Sequence, residues 1–150
     1  MEIIVKPIGY IRNARKEVED DNWGEVISEI DIEIGEEALQ GLEDFSHAEI
    51  IFFFDQVDES KIVTGARHPR NNMEWPKAGI LAQRGKNRPN RIGLTTVNII
   101  KREGNVLFVT GLDAVDGTPV LDIKPVMQEF QPRGEIHQPA WAGELMKNYW

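Results

Sequence analysis

Between Glu29 and Ile34 apolar and acidic residues alternate one for one, with Ile30, Ile32 and Ile34 set against Glu29, Asp31 and Glu33. A period of two puts the isoleucines on one face and the carboxylates on the other, so residues 25–34 are predicted as a half-buried strand. Residues 3–12 read as a first strand, with Gly9 predicting a bulge. A continuous apolar run over 49–54, closed by Asp55, reads as a strand buried on both faces. Further strands are expected at 79–83, 92–101, 106–112 and around Val120, Leu121 and Ile123, with a hairpin turn at Glu103-Gly104-Asn105. Helical spacing occurs twice. Ala38, Leu39, Leu42 and Phe45 predict an amphipathic helix over 35–45, and Trp141, Leu145 and Tyr149 a short one over 139–150 that Pro139 starts. Strands joined by turns rather than by regular helices predict a mainly β fold, a compact antiparallel β-barrel with a few short helices, as one domain over residues 1–150.

Two segments break the periodicity. Residues 56–78 form a long Pro-containing stretch with Trp75 and no repeat, and loops of this length are usually functional or disordered. Asp113-Ala114-Val115-Asp116-Gly117-Thr118-Pro119 is turn chemistry: Gly takes a positive φ and Pro sets the exit into the next strand. The turn is expected to hold Asp113 and Asp116 at a loop mouth with Asp122 just inside the scaffold.

Charge sharpens this pattern. The chain carries a net charge of −8, yet residues 61–91 hold eight cations and one acid, Glu74, a local balance of +7 that leaves −15 for the rest. Such segregation predicts a focused positive surface for an anionic ligand, with Lys86, Arg88 and Arg91 as candidate phosphate contacts; a solvated loop whose cations pair with the acidic N-terminal third is the alternative. Cysteine is absent, which removes disulfides, thiolate nucleophiles and cysteine-bound clusters. His47, His68 and His137 lack metal-ligand spacing, so no metal is expected. No G-x-G-x-x-G occurs, and Gly79 to Lys86 fails as a phosphate loop because five residues separate its glycines. The opening apolar run is too short for a signal peptide, no stretch reaches membrane-spanning length, and a cytoplasmic protein is expected.

Arg88-Pro89-Asn90-Arg91-Ile92-Gly93-Leu94 and Asp116-Gly117-Thr118-Pro119-Val120-Leu121-Asp122-Ile123-Lys124-Pro125 together resemble the TsaA-like, or TrmO, family. The likeness extends to Pro7-Ile8-Gly9-Tyr10-Ile11-Arg12, to residues 41–47 and to Pro139-Ala140-Trp141. It implies a small β-barrel that binds S-adenosylmethionine (SAM) and methylates the exocyclic N6 of threonylcarbamoyl-adenosine beside the anticodon of tRNA, as a homodimer. By resemblance, cofactor contacts fall at Trp23, Phe54, Asp55, Arg84, Leu94, Asp113 and Val115, with Ala114 and Asp116 alongside. Their chemistry suits the ligand: carboxylates accept from hydroxyls and an amine, Arg84 can hold a carboxylate, and Phe54 and Leu94 offer apolar surface. Departures occur at Arg91, where members usually have proline, at Thr95 for serine, at Val126 for tyrosine, and around Arg84. A methyltransferase of a small molecule and a non-catalytic SAM-binding module remain open alternatives.

Overall fold

The structure, a computed structural model, describes residues 1–150. Burial with a period of two runs through its strands. In β2 (Ile27–Ile32) Ser28, Ile30 and Ile32 point inward, and in β3 (His47–Phe53) Ala48, Ile50 and Phe52 do so. β1 (Gly9–Arg12), β6 (Ile92–Glu103), β7 (Val106–Thr110) and β8 (Pro119–Pro125) add Ile11, Val97, Leu107, Val109 and Val120. Each aliphatic side chain removed from water contributes about 1.5–3 kcal/mol, and these inward faces form one continuous core. The six strands close into a barrel in the order β1-β2-β7-β6-β3-β8, every neighbouring pair antiparallel, as the turn-linked strand pattern predicts. A two-stranded patch, β4 (Ala66–Arg67) with β5 (Ala78–Gly79), lies outside it.

Gly93 is a contact point in this barrel. It pairs with Phe52 across β3 and β6, and a Cβ there would stand 2.5 Å from the Phe52 ring. The glycine makes room for the largest fully buried side chain of the core.

Several local expectations give way to tertiary context. The first strand covers only Gly9–Arg12; Ile3, Ile4 and Val5 are exposed because no neighbouring strand pairs with them, and Gly9 sits in regular register opposite Ile32 rather than in a bulge. Bulges occur instead between Ile51 and Phe52 and between Ile99 and Lys101. The helix expected over 35–45 is two short 3-10 turns, Glu36–Leu39 and Leu42–Asp44, broken by Gly41 at φ 89°, a left-handed conformation that glycine adopts without steric cost. β3 is not buried on both faces: Ile51 and Phe53 lie half-exposed on the barrel's outside. Of the strand expected at 79–83, only Ala78–Gly79 pairs, and Ile80–Ala82 turns into a 3-10 helix whose Ile80 is buried. The last helix, α1, is Ala140–Leu145, with Pro139 as its N-cap.

Candidate functional site

At the end of the barrel where β3 and β7 finish and β6 begins, three loops and the last residues of the chain meet. β7 passes into the Asp113–Asp116 loop, which Asn13 clamps. The Asn13 side chain donates to the Ala114 carbonyl at 2.9 Å and to the Ser28 hydroxyl at 2.9 Å, while its own N–H donates to Asp116 Oδ1 at 3.0 Å. The turn beyond forms as its residue types require. Gly117 takes φ 85°, and the Thr118 hydroxyl donates to the Val115 carbonyl at 2.7 Å.

The three aspartates singled out from the sequence part company here. Asp113 turns to the site: one carboxylate oxygen accepts the Thr95 hydroxyl and the other the Tyr149 hydroxyl. Asp116 shares no partner with it. Its second oxygen takes Lys16 Nζ at 2.6 Å, and that bond, followed by the Asn13 amide, lowers its pKa below the usual carboxylate range. Asp122 stands within the scaffold, on β8 and paired with Ile51 of β3, where its carboxylate meets Lys124 at 3.1 Å.

Arg84 is exposed and donates to the backbone carbonyl of Leu94, the neighbour of Thr95. The dipeptide Leu94-Thr95 therefore carries a guanidinium on one residue's carbonyl and a carboxylate on the next residue's hydroxyl. Leu94 itself is 45% exposed and offers apolar surface beside them. Phe54 packs edge-on against Phe52 with ring centres 5.2 Å apart, and Asp55 follows it, exposed. Ala114, Val115 and Trp23 are buried. Trp23 lies under the Arg15 guanidinium at 4.5 Å, and its indole N–H donates to the Glu19 carbonyl at 3.2 Å.

Two further residues, Tyr149 and Arg70, belong to this region without any motif that marks them. The phenol of Tyr149 is held well above its usual pKa by burial and then by the negative charge of Asp113, against which Arg70 and Arg84 act. Arg70 reaches this region from the long loop by pairing with Asp21 at 3.0 Å, and it and Asn71 both adopt positive φ, 51° and 57°. Non-glycine residues in that conformation mark a backbone held by its surroundings. Trp75 ties the same loop to α1 through an indole N–H to Glu144 Oε2 bond of 2.6 Å. No local pattern announces these links, since each joins residues distant in sequence.

The basic segment divides in two. Arg88 donates to the Gln83 carbonyl at 2.7 Å, and Arg91 donates to the Val57 carbonyl at 2.8 Å while lying over the Phe53 ring at 4.7 Å. Both brace loops. Arg91 takes φ 51°, a conformation closed to proline. Only Arg70 and Arg91 form ion pairs within residues 61–91, so Lys61, Arg67, Lys77, Arg84, Lys86 and Arg88 have no carboxylate partner. Pairing with the acidic N-terminal third is confined to Arg70, which meets Asp20 and Asp21. No three His, Asp or Glu side chains gather to hold a metal ion.

A closed antiparallel barrel thus presents a carboxylate, a guanidinium and apolar surface from its loops at one end. The sequence profile of the tRNA-methyltransferase O N-terminal domain matches residues 17–131, and the chain belongs to that family. A human tRNA (adenine(37)-N6)-methyltransferase is 37% identical over 113 residues, covering 75% of this chain and 25% of the relative. A probable S-adenosyl-L-methionine-binding protein of Pyrococcus abyssi is 32% identical over 97% of this chain and 78% of its own length. The crystal structure of TrmO from Pseudomonas aeruginosa superimposes with a TM-score of 0.75 at 30% identity, covering 94% of this chain and 62% of that one. The chain thus spans a quarter of the human relative and under two thirds of the solved one.

Proposed function

We propose that this chain binds S-adenosylmethionine and transfers its methyl group to the exocyclic N6 of an adenosine-derived base beside the anticodon of tRNA, with threonylcarbamoyl-adenosine as the base. The observation that carries the reading is the adjacency of Leu94 and Thr95, which places Arg84 and Asp113 on successive residues. A guanidinium suits an amino-acid carboxylate, a carboxylate suits a ribose hydroxyl or an ammonium, and Leu94 and Phe54 suit an adenine face. The donor set fits the ligand. In this reading Asp55, exposed just beyond β3, is a second acceptor, the buried Trp23, Ala114 and Val115 are further contacts, and Asp116 helps fix the loop through the Asn13 N–H.

When bound, SAM supplies a methyl group already activated on a sulfonium. The protein's share of the work is alignment and exclusion of water, which needs no covalent partner from the chain. The unpaired cations of residues 61–91 supply a phosphate-binding surface on an otherwise acidic molecule. The names of the mammalian relatives support a tRNA substrate, while the archaeal relatives are described only as SAM-binding. A homodimer in the cytoplasm belongs to the same reading, and the exposed Ile3, Ile4, Phe130 and Ile136 are available to a second copy.

Incubation with labelled SAM and tRNA, followed by mass spectrometry of the nucleosides, tests the reading. A labelled adenosine derivative is the expected product. SAM binding without transfer to tRNA would reduce the reading to a binding module, and transfer to small molecules alone would move the substrate class.

A further inference from the structure

We propose that the segment Met146 to Trp150 is a strap that occupies the ligand's hydroxyl position on Asp113 and must leave before SAM can bind. The inference rests on the reading of Asp113 as a cofactor contact. Both oxygens of that carboxylate are engaged in this structure. One partner, Thr95, is buried in β6 and fixed by the barrel. The other, Tyr149, stands outside the barrel on a segment beyond α1.

The strap has few attachments. The N–H of Asn22 donates to the Asn148 carbonyl at 3.0 Å, the N–H of Trp23 donates to the Tyr149 carbonyl at 2.8 Å, and the Tyr149 hydroxyl reaches Asp113. The Tyr149 and Trp150 rings stack edge-on, 4.8 Å between centres, and no residue from 146 to 150 is fully buried. Apart from the Met146 and Lys147 amides, which continue α1 onto the Ala142 and Glu144 carbonyls, these three hydrogen bonds are its ties, and a segment without a fully buried residue belongs to the low-stability end of the molecule. Its phenol has the chemistry of the group it would replace. Tyr149 is a neutral O–H donor to an acceptor-only carboxylate, as a ribose hydroxyl is. Trp23, a candidate contact only 2% exposed, gains access by the same departure.

Gly24 gives independent control of the strap. A Cβ there would lie 2.9 Å from the Trp150 carbonyl carbon, and Gly24 does not need a positive φ. Gly24→Ala therefore pushes on the strap without touching Asp113, whereas Tyr149→Phe removes the hydroxyl that competes for it. An occluded site weakens apparent affinity by the fraction of molecules that are open, so loosening the strap tightens binding.

The experiment is calorimetric SAM titration of the whole chain in wild-type, Tyr149→Phe, Gly24→Ala and Asp113→Ala forms, with hydrogen exchange at the Asn22 and Trp23 amides, which donate to the strap. The expected result is about three- to tenfold tighter binding by both Tyr149→Phe and Gly24→Ala, and faster exchange at both amides when SAM saturates the wild type. Wild-type or weaker affinity in either variant, or undiminished protection of the amides under saturating SAM, overturns the strap. Asp113→Ala separates the two levels: unchanged SAM affinity removes the cofactor reading and the strap with it. Weakened binding there beside an unaltered Tyr149→Phe overturns the strap alone.

Discussion

Thr95 and Asp113 are joined by a hydroxyl-to-carboxylate hydrogen bond, which couples β6 to the loop that follows β7. The hydroxyl comes from a residue that is 7% exposed, so the barrel wall itself aims the carboxylate. A hydrogen bond to a charged acceptor contributes about 1.5–3 kcal/mol. Thr95→Val is expected to weaken SAM binding roughly tenfold or more for that reason, while Thr95→Ser, which keeps the hydroxyl, retains it. Calorimetry on the two folded variants decides the point, and equal affinities would mean that Thr95 does not position Asp113 for the ligand.

Gly93→Ala addresses the core rather than the ligand. The added methyl meets the Phe52 ring at 2.5 Å, and Phe52 is only 1% exposed, with no free direction in which to retreat. Overpacking of this kind costs about 1–3 kcal/mol. Urea denaturation should reveal the loss as a lower midpoint with an unchanged slope; wild-type stability would show that the ring can move aside.

Within the basic segment the cations should separate by role. Replacing Lys86, Arg88 and Arg91 together is expected to weaken tRNA binding and flatten its salt dependence, because fewer phosphate contacts release fewer counterions. Arg88→Ala and Arg91→Ala should also lower the thermal midpoint, since these side chains donate to the Gln83 and Val57 carbonyls. Lys86→Ala should leave the midpoint in place. Titrations of tRNA at several salt concentrations, run beside thermal melts, read both effects; a triple variant with the wild-type salt slope would leave the cluster merely solvated.

Acid should act through the carboxylates held below their ordinary pKa, Glu43 and Asp116 among them. Glu43 is held at about 2 by its hydrogen bonds to Arg102, and Asp116 lies below its ordinary value chiefly through Lys16. A carboxylate with a depressed folded pKa binds its proton more readily when unfolded. Its contribution is present in full above the ordinary value, 4.5 for Glu43 and 3.8 for Asp116, and is lost as pH falls through the folded one. Arg102→Gln and Lys16→Gln should therefore destabilise the protein more at pH 6 than at pH 2. Denaturation midpoints across that range provide the check, and parallel curves for variants and wild type would contradict it.

The alternation of Ile30, Ile32 and Ile34 with acids is a local signal. It identifies β2 because side chains two residues apart share a face in any extended chain. The Asp116-Gly117-Thr118-Pro119 turn is legible for the same reason, since backbone sterics act within a few residues. Closure is decided at longer range. Ile3, Ile4 and Val5 have strand-forming residue types but find no partner, while Gly41, tolerable in a helical pattern, ends one 3-10 turn and begins another. The site is partly readable: Asp113 and Arg84 stand in motifs, yet nothing in those motifs says that Asp113 bonds Thr95 while Asp116 bonds Asn13 and Lys16. Tyr149 is visible in the chain only as one step of a helical spacing. Its place on Asp113 depends on how α1 and the segment beyond it return to the acidic loop at Asn22 and Trp23. The strands, the turn and the types of group available are thus set by residue order alone, because they follow from contacts a few residues apart. Which oxygen meets which hydroxyl is a property of the closed barrel, because hydrogen bonds spanning 18 and 36 residues exist only once distant parts of the chain have been brought together.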